Sequence, residues 1–209
     1  MIHDTAIDHY REMQEYPSLS ETRVANSLGL ATSLLKHSTD NEAEAFAIFQ
    51  LEINHCGASS DDRELILFRM GIEYRHLNKW DQSIEVLHQL CLSASRPEST
   101  MTPQANEAMA QTYLERYCTD TTLDIDQRTQ NLSHAADHSM IVRHVVAEDK
   151  VSTEMHLIDA QLFYFNDDKQ QAFHHLELYL DARVAECKHS CYTCEQRVRH
   201  GSVPFSLLI

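Results

Sequence analysis

Residues Glu64 to Ser95 read ELILFRMGIEYRHLNKWDQSIEVLHQLCLSAS. Two apolar-striped segments flank a short polar break at Leu77, Asn78 and Lys79. In the first, Leu67, Met70, Gly71 and Tyr74 recur at helical spacing; in the second, Trp80, Ile84, Leu87 and Leu90 do so. Two helices joined by so short a turn lie antiparallel and bury those faces against each other. Glycine inside a helix is about 1 kcal/mol worse than alanine, so Gly71 implies a neighbouring side chain that needs its space. Asn78 suits the left-handed backbone that a tight turn between helices requires.

At these residues the chain resembles a tetratricopeptide (TPR) repeat. That family places a bulky apolar residue before a leucine-glycine pair, then an aromatic three residues after the glycine. A turn, a second aromatic and a small residue three positions later follow. Here those places hold Leu67, Met70-Gly71, Tyr74, Trp80 and Ser83. Met70 and Ser83 depart mildly from the pattern, Asn78 stands where glycine is preferred, and Ser95 replaces the terminal proline. The match covers about 32 residues. The resemblance implies an all-α fold, a right-handed α-solenoid of antiparallel helix pairs. It also implies a concave helical face that binds a protein or peptide, and no catalysis.

Helical hairpins extend outward from this one. Residues 1–16 form a weak helix candidate ended by Pro17. Val24, Leu28, Ala31 and Leu35 stripe a helix that Ser20 would cap, and Ala45, Phe46, Phe49 and Ile53 stripe its partner. Leu28-Gly29 matches the repeat pair, with a longer turn after it. Pro103 suits the first turn of a helix running to about Tyr117, followed by a partner from Asp124 to about His138. Met140 to Val146 either extends that partner or forms a connector. Ser152–Phe165 and Lys169–Glu186 make the last hairpin, split by Asn166, Asp167 and Asp168. Ala160, Phe163, Ala172, Leu176 and Tyr179 fit the repeat, and Asp159 breaks it where an apolar residue is due.

The domain organisation read from this is a helical-repeat domain over 1–186 and a short irregular segment over 187–209. Only 4 Gly and 4 Pro occur in 209 residues, too few for an all-β chain of many turns. The formal charge is −15, and the last 23 residues carry +2, so the preceding 186 carry −17. Phosphate contact needs clustered Lys or Arg, so no nucleic acid is expected as a partner. MIHDTAIDHY has neither a basic region nor an apolar run, and no stretch approaches the roughly 20 apolar residues of a membrane span. A cytoplasmic or nuclear location follows as the expectation, and Cys56, Cys91 and Cys118 read as small core residues or free thiols. The Asn131 sequon carries no weight without a secretory signal.

From Cys187 onward the sequence is CKHSCYTCEQRVRHGSVPFSLLI. Cys191 and Cys194 form a C-x-x-C pair, which suits one tetrahedral zinc ion in a reducing compartment. The tail resembles the opening of a MYND-type zinc finger: Cys191 and Cys194 match the first pair and Glu195 to Ser206 the spacer. At Leu207, where a third ligand is due, the sequence reads Leu-Leu-Ile, as in a truncated gene model, a fragment or a degenerate relative. Three alternatives stay open: a broken finger with a partial zinc site, a closed site of Cys187, Cys191, Cys194 and His200, and metal-free thiols. In the intact family the finger binds proteins and is not catalytic.

A different functional class rests on two Glu-x-x-His pairs, Glu52 with His55 and Glu85 with His88. Such pairs ligate two irons in ferritin-like bundles, with single glutamates from two other helices; Glu21 and Glu73 would fill those roles. That alternative is a metal-dependent helical enzyme. The pairs are about 33 residues apart on short helices, which fits adjacent repeats with solvated faces better. His134, His138, His174 and His175 are expected at the surface or in a groove. No Gly-rich phosphate loop, nucleophile elbow or HExxH motif is present.

Overall fold

The structure, a computed structural model, describes residues 7–8, 11–12, 20–56, 61–93 and 101–190. Among the described residues it is all-helical, with eight α-helices and no strand. They are α1 (Ser20–His37), α2 (Glu42–His55), α3 (Asp61–His76), α4 (Trp80–Ser93), α5 (Met101–Thr119), α6 (Ile125–Val145), α7 (Thr153–Phe165) and α8 (Lys169–Ser190). Single 3-10 turns, Thr39–Asn41 and Glu148–Lys150, precede α2 and α7. The chain divides by packing into two compact units, Met1–Thr112 and Tyr113–Ile209.

In the first unit, α3 and α4 form the expected hairpin. Leu67, Leu87 and Leu90 are completely or almost completely buried, and Trp80 nearly so. Gly71 has the neighbour its sequence position implies: a Cβ there would stand 2.7 Å from Leu87 Cγ and Cδ2. Ser83 Oγ donates to the Gly71 carbonyl at 2.8 Å, so the small residue on α4 ties down the backbone of α3. Phe46 of α2 stacks on Tyr74 of α3 with ring centroids 4.0 Å apart. Burial pushes the Tyr74 phenol pKa up, and Glu42 and Glu85 add to it. Ile7 is buried in the same core, and Arg11 Nη2 pairs with Glu44 Oε1 at 2.9 Å. The rest of the weak 1–16 candidate lies outside the described residues.

The α3–α4 turn is a Schellman motif, which satisfies the last carbonyls of a helix through a left-handed residue. Asn78 has φ 57°. Its N–H bonds to the Arg75 carbonyl, and the Lys79 N–H to the Tyr74 carbonyl, both at 2.9 Å. The α7–α8 turn in the second unit repeats this residue for residue. Asp167 has φ 60°; its N–H bonds to Tyr164 at 3.1 Å, and the Asp168 N–H to Phe163 at 2.9 Å. Gly71 then corresponds to Ala160, Ser83 to Ala172, Leu67 to His156 and Met70 to Asp159. Asp168 also caps α8, accepting from the Gln171 N–H at 3.1 Å.

Other boundaries shift from the sequence expectation. Pro103 sits in the first turn of α5 as expected, but the helix continues to Thr119. Asp124 and Gln127 form a reciprocal capping box for α6, which absorbs Met140–Val145 as unbroken helix. Ser152 caps α7 by accepting from the Met155 N–H. The helix α8 passes the expected end at Glu186 and continues through Cys187 to Ser190. Glu186 accepts from Thr153 Oγ1 at 2.7 Å, which fixes that end of α8 against the start of α7.

Candidate functional site

Within the first unit α3 is packed along most of its circumference. Ile66, Leu67, Met70 and Gly71 are buried, as are the polar Glu64, Glu73 and Arg75. The remaining side is a narrow strip of Asp62, Leu65, Arg69, Ile72 and His76, spaced so that all five share one face. Asp62, Leu65, Arg69 and His76 are exposed and Ile72 is half-buried. Arg75 Nη1 donates to Gln111 Oε1 at 2.6 Å, fastening α5 to α3. Such a strip, two apolar residues among three polar ones on a rigid helix, can hold side chains of an extended peptide. It offers no nucleophile with an adjacent base.

Glu73, one turn along the helix from Arg69, is buried and lies off the strip, with His76 Nδ1 3.5 Å from its Oε2. The strip therefore carries mixed charge, one aspartate and one arginine, with a histidine at its end.

The second unit holds a buried polar cluster across α6, α7 and α8. Arg143 Nε donates to Asp159 Oδ2 at 2.6 Å, and Arg143 Nη2 donates to the same oxygen. Ser139 Oγ donates to Asp159 Oδ1 at 2.5 Å. Arg143 Nη2 also lies 3.4 Å from His156 Nδ1 and 3.3 Å from His175 Nδ1. An arginine has no acceptor, so each imidazole must receive this contact through an unprotonated Nδ1. Burial lowers the pKa of both histidines; Arg143 adds to this and Asp159 opposes it. His175 also stacks on Phe163, centroids 5.3 Å apart. Ser139 bonds to the carboxylate and not to an imidazole, so the cluster lacks the hydroxyl–imidazole pair that nucleophilic catalysis uses. Of the histidines expected at the surface or in a groove, His174 is exposed and His175 is half-buried beside Arg143. His134 and His138 lie beside Tyr113, with ring centroids 5.0 and 5.7 Å away.

Cys191, Cys194 and His200 lie outside the described residues, and Cys187 is in the last turn of α8 with its side chain outside them. Glu85 and His88 are exposed on α4, and His55 is exposed on α2. Glu52 contradicts the solvated-face expectation: it is buried and accepts from Ser27 Oγ at 2.9 Å, with Arg23 Nε 3.2 Å from its other oxygen. Its chemistry is that of a buried carboxylate tying α1 to α2. Among the described residues no three His, Cys, Asp or Glu side chains converge as metal ligands. Cys56, Cys91 and Cys118 are free thiols, and burial raises the pKa of the latter two. Asn131 is buried and donates to the Gln127 carbonyl at 2.8 Å, so its amide is engaged within α6. Among the described residues no helix is long and apolar enough to cross a membrane.

Comparisons with protein-family models, with curated proteins and with solved structures return no match to this chain.

Proposed function

We propose that this chain is a protein-interaction scaffold built of TPR-like helix pairs in a right-handed α-solenoid, which takes an extended peptide segment of a partner protein on its concave face. The observation that carries this reading is the repeated hairpin. The turns at Asn78 and Asp167 share one hydrogen-bond register, with a small residue on each flanking helix at matching positions. A chain that reuses one helix pair, and leaves a single open strip on the central inner helix, has the makings of a binding surface. The strip Leu65, Arg69, Ile72 and His76 is where the partner docks. The acidic body, −17 over the first 186 residues, favours a basic or neutral segment.

On this reading the protein is not an enzyme and works in the cytoplasm or nucleus. The segment from Cys187 is an incomplete MYND-like finger. Cys191 and Cys194 supply two zinc ligands; Cys187 and His200 are the donors of the closed alternative.

An immobilised peptide library tests the assignment. Basic and neutral peptides should bind in preference to acidic ones. Leu65→Ser with Ile72→Ser should weaken the best binder about tenfold or more, and Gln82→Ser with Gln89→Ser on α4 should not. Preference for acidic peptides, or indifference to the α3 pair, would overturn it.

A further inference from the structure

We propose that the junction of Arg143, His156 and His175 is an acid-sensitive latch that releases the α7–α8 hairpin from α6 as the medium falls below about pH 6. The three side chains come from three helices. Arg143 and Ser139 stand on α6, His156 and Asp159 on α7, and His174 and His175 on α8; Glu148 of the preceding 3-10 turn also acts on His156. Arg143 Nη2 has two hydrogens. One goes to Asp159, and the other faces the two imidazole nitrogens 3.3 and 3.4 Å away.

A proton on either Nδ1 removes that acceptor and sets a second cation against the guanidinium. Asp159 has little left to answer with, since Arg143 and Ser139 already occupy both its oxygens. Glu148 favours the charged form of His156, while His174 disfavours it in both neighbours. Because docking holds both histidines below their ordinary pKa, the undocked hairpin binds more protons. The stability of the latch is therefore complete above about pH 6.5 and is lost progressively as the pH falls. The equivalent hairpin in the first unit has Leu67 and Met70 where the latch has His156 and Asp159, so it provides an internal control without these groups.

Hydrogen exchange on the full chain, corrected for intrinsic rates, tests this between pH 7.5 and 5.5. Protection of residues 153–186 should fall about tenfold or more relative to residues 61–93. In His156→Asn with His175→Asn, which keeps an acceptor near each Nδ1 position without the titration, the relative fall should shrink to about threefold or less. An equal loss in both hairpins, or an unchanged loss in the variant, would overturn the proposal. If the variant does not fold, proton NMR titration of the wild-type imidazoles decides. Two of the 14 histidines should titrate well below the others, and a single common range would overturn the latch.

Discussion

Leu87 on α4 sits directly over Gly71 on α3, close enough that any Cβ on residue 71 would overlap its side chain. Leu87 is fully buried, so it has nowhere to retreat. Gly71→Ala gains about 1 kcal/mol of helix propensity but overpacks the crossing, which costs about 1–3 kcal/mol. The net expectation is a loss of up to about 2 kcal/mol in urea denaturation. The loss should be less than additive in combination with Leu87→Ala, which opens the space.

Asn78 and Asp167 occupy the same left-handed position in their turns. Replacement of either by glycine should be neutral or slightly stabilising. Replacement by alanine should lose about 1 kcal/mol, because a Cβ is disfavoured at positive φ and alanine lacks the local polar contacts of Asn or Asp. Unequal responses of the two sites in parallel denaturation curves would contradict the equivalence of the hairpins.

Trp80 opens α4 and is almost buried. Trp80→Ala should destabilise by about 3–5 kcal/mol. A change below about 1 kcal/mol, read by circular dichroism against urea, would sink the role assigned to the central hairpin.

Asp159 is buried with Arg143 as its main partner, and the arginine side chain is 26% exposed. Asp159→Ala leaves that cation short of its carboxylate, and partial solvent access limits the damage to about 2–4 kcal/mol. Calorimetry of the full chain should show this loss at pH 7.5.

The tail carries its own test. A cut after Ser190 respects the observed end of α8. Removing 191–209 should leave the melting temperature within about 3 °C, with or without zinc, because two thiolates cannot supply the folding free energy of a complete metal site. A large zinc-dependent rise in the full chain would favour the closed site of Cys187, Cys191, Cys194 and His200.

The all-helical class and the α3–α4 hairpin were legible because their signals are local. The apolar stripes, Gly71, Asn78 and Ser83 all lie within one short stretch, and each acts on its near neighbours. The last hairpin was legible for the same reason, through Ala160, Ala172 and the three-residue turn. Glu52 was not, because its partners Ser27 and Arg23 belong to the preceding helix, and spacing within one helix cannot reveal them. The Arg143 cluster draws on three helices. Its one trace in the sequence is Asp159, an acid at a position where the repeat wants an apolar residue, and a buried carboxylate implies a buried cation. The strip on α3 was not legible, because which side of that helix stays open is decided by the helices packed around it.

The α3 strip is the proposed docking surface. An NMR titration of isotope-labelled protein with the best library peptide tests that directly. The largest amide shifts should fall on residues 62–76, with a Kd tighter than about 1 mM. Shifts confined to the exposed faces of α2 and α4, or no saturable binding by any selected peptide, would contradict it.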